Sequence, residues 1–322
     1  MAWLVTGGAG YIGAHVVRAM VADGQRVVAL DDLSTGAADR VHEAPLVVGS
    51  VLDGPLLHQT LREHDVSGVV HIAAKKQVGE SVADPLLYYR ENLSGLVALL
   101  TACRDAAVDR MVFSSSAATY GLPDVELVDE DTPGVPLSPY GETKLIGEWL
   151  MRDCAVAFGL RALALRYFNV AGAAAADLGD RGVFNLIPLV FQALAAGERP
   201  RVFGADYPTP DGTCIRDYVH VADIADAHLA AARALDAGAG SATYNIGRGI
   251  GSSVLEVLAV IAEVTGQDTT PEVVGRRPGD PARVVAAVDR IRLGLGFSAG
   301  RDLEDMVRSA WAGWLDRPGG AG

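Results

Sequence analysis

Tyr140 and Lys144 stand four apart in the stretch SPYGETK, directly after a serine and a proline. In a helix opened by Pro139 that spacing puts both side chains on one face. A phenol titrates near pH 10, too high for a base at neutral pH, but a neighbouring cation favours the phenolate. Tyr140 could then take a proton from a hydroxyl group. Ser116 lies 24 residues earlier in FSSSAATYG, at the end of a predicted strand, where its hydroxyl would hydrogen-bond the reacting oxygen. Taken singly, a Tyr-x-x-x-Lys pair is common on exposed helices and a run of serines is common in polar loops. The conjunction is what points to chemistry.

A second group of residues suits a dinucleotide. GGAGYIG follows the first apolar run and places Gly7, Gly10 and Gly13 in the pattern G-x-x-G-x-x-G, ahead of the helix-like AHVVRAMVADG. Bare glycines let backbone N–H groups close on a pyrophosphate at the positive end of a helix. Asp31 ends the second predicted strand, 18 residues beyond Gly13, where a carboxylate accepts both hydroxyls of a ribose. Asp31 and Asp32 would repel a 2′-phosphate, which selects NAD over NADP. A nicotinium ring would be a further cation, beside Lys144, favouring the Tyr140 phenolate.

The elements that must hold these residues are visible as alternation. AWLVTG, RVVALDD, APLVVGS, GVVHIAA, RMVFSSS and RALALRY are short β-branched runs separated by longer helix-like segments, the pattern of a parallel sheet with helices on both faces. The fold expected is a Rossmann-type, doubly wound α/β sheet with a smaller C-terminal domain. Beyond residue 168 the texture changes to the Gly/Ala-rich NVAGAAAADLGDRG. The domains expected are 1–168 for the dinucleotide and 169–322 mainly for a substrate, with about 214–248 returning to the first sheet.

Composition excludes other classes. No apolar run reaches the ~18 residues that span a bilayer, and MAWLVTGGAG lacks the basic flank of a signal peptide. A net charge of −13 argues against nucleic acid and anionic membranes as partners. Cys103, Cys154 and Cys214 are scattered without metal-ligand spacing, so no metal is expected and a reducing cytoplasm is. His71 and His220 have no partner in their motifs, and packing or capping is the expected use of each.

Together Gly7 to Gly13, Asp31, Ser116, Tyr140 and Lys144 resemble the extended short-chain dehydrogenase/reductase family. DDLSTG, AAKKQVGESVADP, SSSAATYG, LRYFNVAGA, DGTCIRDYVHVADIADAH and RRPGD extend the likeness over nearly the whole chain, to its UDP-glucose (UDP-galactose) 4-epimerases. The likeness implies a tyrosine that deprotonates the sugar 4-hydroxyl while the C4 hydride passes to tightly held NAD, and a hydride returned to the other face of the 4-keto sugar. Ser116, Tyr140 and Lys144 would be catalytic. The cofactor would meet Gly7, Gly10, Tyr11, Ile12, Gly13, Asp31, Asp32, Ser34, Gly36, Ser50, Val51, Ile72, Ala73, Ala74, Lys76, Asn92, Ser114, Tyr140, Lys144, Tyr167 and Phe168. The UDP-sugar would meet Lys76, Ser116, Tyr140, Asn169, Asn185, Leu186, Val202, Phe203, Arg216, Tyr218, Arg277, Asp280 and Val284, the arginines suiting a pyrophosphate. The likeness also implies a homodimer through the helical stretches that start at Asp84 and Pro139.

Two departures from the family matter. Ser50 stands where an aspartate often bonds the adenine amino group, and Val284 stands where some epimerases carry a tyrosine that crowds the sugar. The smaller valine is expected to admit an N-acetyl group at C2, extending the reaction to UDP-GlcNAc and UDP-GalNAc. Two other readings stay open. A dehydratase or decarboxylase begins with the same oxidation but needs acidic residues after the serine, where this chain has Ala117 and Ala118. A non-catalytic NAD sensor typically loses the Tyr/Lys pair.

Overall fold

Alternation of side chains along the first strands sorts the core onto two faces of one sheet. The computed structural model describes residues 1–277 and 279–317. The six expected strands are β1 (Ala2–Thr6), β2 (Val27–Asp31), β3 (Leu46–Val48), β4 (Val66–His71), β5 (Arg110–Ser116) and β6 (Arg161–Tyr167). Then come β7 (Asn169–Ala171), β8 (Arg201–Phe203), β9 (Ile215–His220), β10 (Ala242–Ile246), β11 (Gly251–Ser253), β12 (Glu272–Val274) and β13 (Arg283–Val284). The large sheet is parallel throughout, in the order β10-β6-β5-β4-β1-β2-β3.

The main helices are α1 (Tyr11–Ala22), α2 (Gly54–Glu63), α3 (Val78–Ala83), α4 (Pro85–Tyr88), α5 (Gly95–Asp105), α6 (Pro139–Phe158), α7 (Leu186–Ala195), α8 (Val221–Asp236), α9 (Val254–Thr265), α10 (Asp289–Leu295) and α11 (Leu303–Leu315). Trp3 and Val5 pack with Val16, Val17 and Met20 of α1 and the alanine-rich face of α8. Leu4 points the other way, into Leu57 and Leu61 of α2, Leu96 and Leu99 of α5 and Met151 of α6. Period two in the strands meets period 3.6 in the helices, and both faces are covered. Strand order reverses at β1 and β4, so a crevice opens beyond their carboxyl ends.

The return to the large sheet begins later than expected. β10 is its edge strand and α8 lies on it, but β9 belongs to a second sheet with β7, β11 and β13. Asp217 anchors β9 in that sheet. Its buried carboxylate accepts from the N–H groups of Arg248, Gly249 and Ala286, which ties the strand to the second sheet's own turns. A separate core of Phe191, Ile261 and Met306, flanked by Trp311 and Trp314, holds α7, α9 and α11 together.

Candidate active site

The turn after β1 is possible only with glycine at two positions. Gly7 has φ +71°, and a Cβ there would lie 2.7 Å from the Ala73 nitrogen. At Gly13 a Cβ would come within 1.9 Å of the Gly7 carbonyl oxygen. Gly10 lines the cleft and caps α1 with no side-chain cap and no acid in the first turn, so its helix offers free N–H groups to an anion. Across the crevice Asp31 is held by two backbone donors, Ala9 N–H to Oδ2 at 2.9 Å and Leu33 N–H to Oδ1 at 2.8 Å. Burial raises its pKa while those donors lower it. Each oxygen keeps a lone pair for a ribose hydroxyl. This arrangement fits NAD.

The cleft has a cavity volume of about 710 Å³, toward the upper end of the ~300–1,000 Å³ typical of a small-molecule or cofactor site. α6 brings Tyr140 and Lys144 to the same cleft. Ser138 caps the helix by accepting from Gly141 N–H, Pro139 follows, and Lys144 Nζ sits 5.9 Å from the Tyr140 ring centroid. Nζ donates to the Ser114 carbonyl at 2.7 Å. Tyr88 packs edge-on against Tyr140, and Ser116 ends β5 beside the phenol.

The electrostatics differ from the sequence expectation in one respect. In the protein alone, burial raises the Tyr140 pKa, partly opposed by a hydrogen bond with Ser116. Burial also pushes Lys144 down to about 8. Desolvation acts on both groups and penalises both charges, so the helix spacing does not by itself create a phenolate.

Most expected cofactor residues line this one cleft: Gly7, Gly10, Tyr11, Ile12, Gly13, Asp31, Asp32, Ser34, Ser50, Val51, Ile72, Ala73, Ala74, Lys76, Ser114, Tyr140, Lys144 and Tyr167. Three stand behind it. Gly36 packs under Asp31, where a Cβ would lie 2.7 Å from Oδ1. Asn92, in a π-helical turn between α4 and α5, braces the wall by bonding both backbone groups of Lys75 and the Thr143 hydroxyl. Phe168 is buried with Tyr120, Val128 and Ala286. His71 is neutral, stacked on Phe113 and bonded to Thr6, and His220 caps α8 by accepting from Ala222 N–H.

Of the expected sugar residues, Lys76 and Tyr140 line the cleft, Ser116 hydrogen-bonds Tyr140, and the rest fall into two groups. Asn169, Asn185, Leu186 and Tyr218 line a much smaller pocket, about 30 Å³ in cavity volume, that shares Tyr11 and Asp180 with the cleft. Val202, Phe203, Arg216, Arg277, Asp280 and Val284 gather around β8, β9 and β13. There Arg216 approaches Asp280 at 3.6 Å, Arg277 lies 3.7 Å over the Phe203 ring, and Val284 pairs with Arg216. Sequence reasoning missed Arg40, Arg181, Val183 and Phe184 in the cleft lining. Arg181 grips Asp39 through two bonds, at 3.2 and 3.0 Å, and Arg40 donates to the Gly179 carbonyl. These pairs join loops about 140 residues apart, so no local spacing could have marked them.

The sequence model of the "NAD dependent epimerase/dehydratase family" matches residues 3–247. A UDP-glucose 4-epimerase of Azospirillum brasilense is 48% identical over 314 residues, 95% of this chain and 90% of that protein. Among solved structures, the UDP-glucose 4-epimerase from Brucella ovis in complex with NAD superposes with a TM-score of 0.93 at 41% identity, covering 96% of this chain and 97% of its own. The enzyme from Bifidobacterium longum in complex with NAD+ and UDP gives 0.91 at 35% identity, covering 100% of both chains. A match of this extent, on a chain whose glycine turn, Asp31 and Tyr140–Lys144 pair converge on one cleft, leaves one conclusion: the chain belongs to the NAD dependent epimerase/dehydratase family.

Proposed function

We propose that the chain is an isomerase that interconverts UDP-galactose and UDP-glucose at C4 of the sugar. The observation that carries this reading is that Tyr140, with Ser116 as its hydrogen-bond partner, and Lys144 line the same cleft as the glycine turn and Asp31. NAD, when bound, supplies the acceptor for the C4 hydride and gives it back, so the cycle is redox-neutral. Tyr140 removes the proton from the 4-hydroxyl and later returns it, and Ser116 hydrogen-bonds that same oxygen. Lys144, anchored on the Ser114 carbonyl, directs its remaining N–H groups into the cleft. The residues around β8, β9 and β13 would take the nucleotide of the substrate. Elimination chemistry is disfavoured because Ala117 and Ala118 form the turn after Ser116. The test uses purified protein, UDP-galactose and no added NAD, with UDP-glucose measured and the denatured protein searched for released cofactor. No product, or dominant NADP, overturns the reading.

Three finer points belong to the same proposal. An NAD-binding part would end at residue 168, with the UDP-sugar part from 169. The assembly would be a homodimer in the cytoplasm, in keeping with three free cysteines. Finally, Val284 would admit an N-acetyl group. It is half-buried against Tyr120, Val128, Phe168 and Ala286. Substituting Val284→Tyr should lower kcat/KM for the acetylated sugar while sparing the plain one; an unchanged ratio means that Val284 is not the gate.

A further inference from the structure

Behind the Tyr140–Lys144 pair runs a chain of three polar side chains whose hydrogen positions are forced. His228 of α8 is fully buried, and its Nδ1 lies 2.8 Å from the Ile224 carbonyl one turn back. A carbonyl only accepts, so Nδ1 carries the hydrogen. Burial keeps the ring neutral, pushing its pKa down to about 4, which leaves Nε2 bare. The Tyr167 hydroxyl, 2.5 Å away, must give its one hydrogen to that nitrogen. Ser114 Oγ lies 2.5 Å from the same phenol oxygen, whose hydrogen is already committed, so Ser114 donates. A serine has one hydrogen. Toward the cleft that it lines, Ser114 therefore offers lone pairs only.

We propose that His228 is a positioning residue for the cofactor: through Tyr167 it fixes Ser114 as an obligate acceptor, which takes an N–H of the carboxamide at the nicotinamide end of NAD. This rests on the reading that NAD fills the cleft with that end beside Tyr140 and Lys144. His228 itself touches no ligand. The direction of the chain has a consequence. A freely rotating serine would serve the N–H or the C=O edge of a carboxamide equally, and the group could flip. An acceptor-only serine rejects the C=O edge, because two oxygens would meet with no hydrogen between them.

The test compares two ligands on the full-length chain, stripped of cofactor and titrated by protein fluorescence. One is NAD; the other is 3-acetylpyridine adenine dinucleotide, whose methyl ketone has no N–H. Wild type should bind NAD about tenfold more tightly, the scale of one hydrogen bond. His228→Leu leaves the Tyr167 hydrogen free to turn toward Ser114 and should bring the ratio close to one. His228→Gln, whose amide oxygen still accepts from Tyr167, should keep it. If the leucine variant does not fold, Tyr167→Phe frees Ser114 and should also shrink the ratio. Equal binding by wild type, or a ratio unchanged in His228→Leu or Tyr167→Phe, overturns the proposal. Wild type that binds neither dinucleotide overturns the cofactor reading itself, and the proposal with it.

Discussion

Tyr140 illustrates how much a residue's chemistry depends on what surrounds it. The phenol sits against Tyr88, with Ser116 as its hydrogen-bond partner, and burial alone makes it a weaker acid. Its use as a base requires a positive field that the protein only partly provides, since Lys144 is itself held down to about 8. Replacing Tyr140 with Phe removes the proposed base and should cut kcat by roughly 10²–10⁴-fold. Ser116→Ala removes one hydrogen bond and should cost far less. Near-wild-type turnover by Tyr140→Phe, with cofactor content unchanged, would falsify the assignment. Both residues were legible in the sequence, because four-residue spacing on a helix and a strand-end serine are local facts. The pKa shifts of Tyr140 and Lys144 were not, because desolvation is set by every element that closes over them.

Among the elements, the turn from β1 into α1 has the least freedom. A methyl at Gly13 would overlap the Gly7 carbonyl, and neither group belongs to a flexible side chain. Gly10 is different, since the nearest atom to a Cβ there is that same carbonyl at 3.2 Å. Gly13→Ala should therefore lose bound cofactor and lower the melting temperature. Gly10→Ala should stay folded while binding NAD more weakly. Thermal melts beside cofactor content separate the two outcomes, and equal behaviour of both variants would contradict the assignment of Gly10 to the ligand and Gly13 to the turn. The helical stretch that starts at Asp84 is not uniform. It contains a π turn at Tyr89–Ser94 that sets Asn92 against Lys75 and Thr143. Nothing in the spacing of YRENLS announces this, because the bulge is stabilised by partners on another strand's loop and another helix.

At the scale of the whole molecule, two faces and one pH window stand out. Leu86 and Val97 of the helical run, and Trp149 and Val156 of α6, are exposed, and the seven-residue spacing of the last two keeps them on one stripe. Trp149→Glu should convert the proposed dimer into single chains by sedimentation, and a wild type that sediments only as one chain would count against the dimer. The acid side of the stability curve has a definite sign. His15, His71, His220 and His228 are buried and held neutral, pushed down to about 4, 3, 4 and 4 from 6.5. Between pH 6.5 and about 4 the unfolded chain takes up protons at these sites and the folded chain does not, so stability falls as pH falls. Asp217, raised from 3.8 to about 6, acts in the opposite sense over nearly the same range. Asp31, also raised by burial, acts in the same sense as Asp217, and four against two leaves a net two protons, each worth about 1.4 kcal/mol per pH unit at most. Melting temperature should drop steeply from pH 6.5 to 4.5, and a flat profile there would show that these histidines are protonated in the native state.

The sequence by itself determined the parallel sheet, the glycine turn, Asp31 and the Tyr140–Lys144 pair, because each is written in a period or a spacing shorter than about 25 residues. Strand period two and helix period 3.6 are properties of the backbone, and they survive whatever the rest of the chain does. Tertiary structure alone decided which strand left the large sheet, which loops closed the cleft and which hydroxyl could donate. β9 pairs in the second sheet, Arg181 reaches Asp39 across 142 positions, and the Ser114 hydrogen is assigned by a histidine 114 residues away. Such pairings depend on hydrogen-bond partners and desolvation that exist only after folding has brought distant segments together.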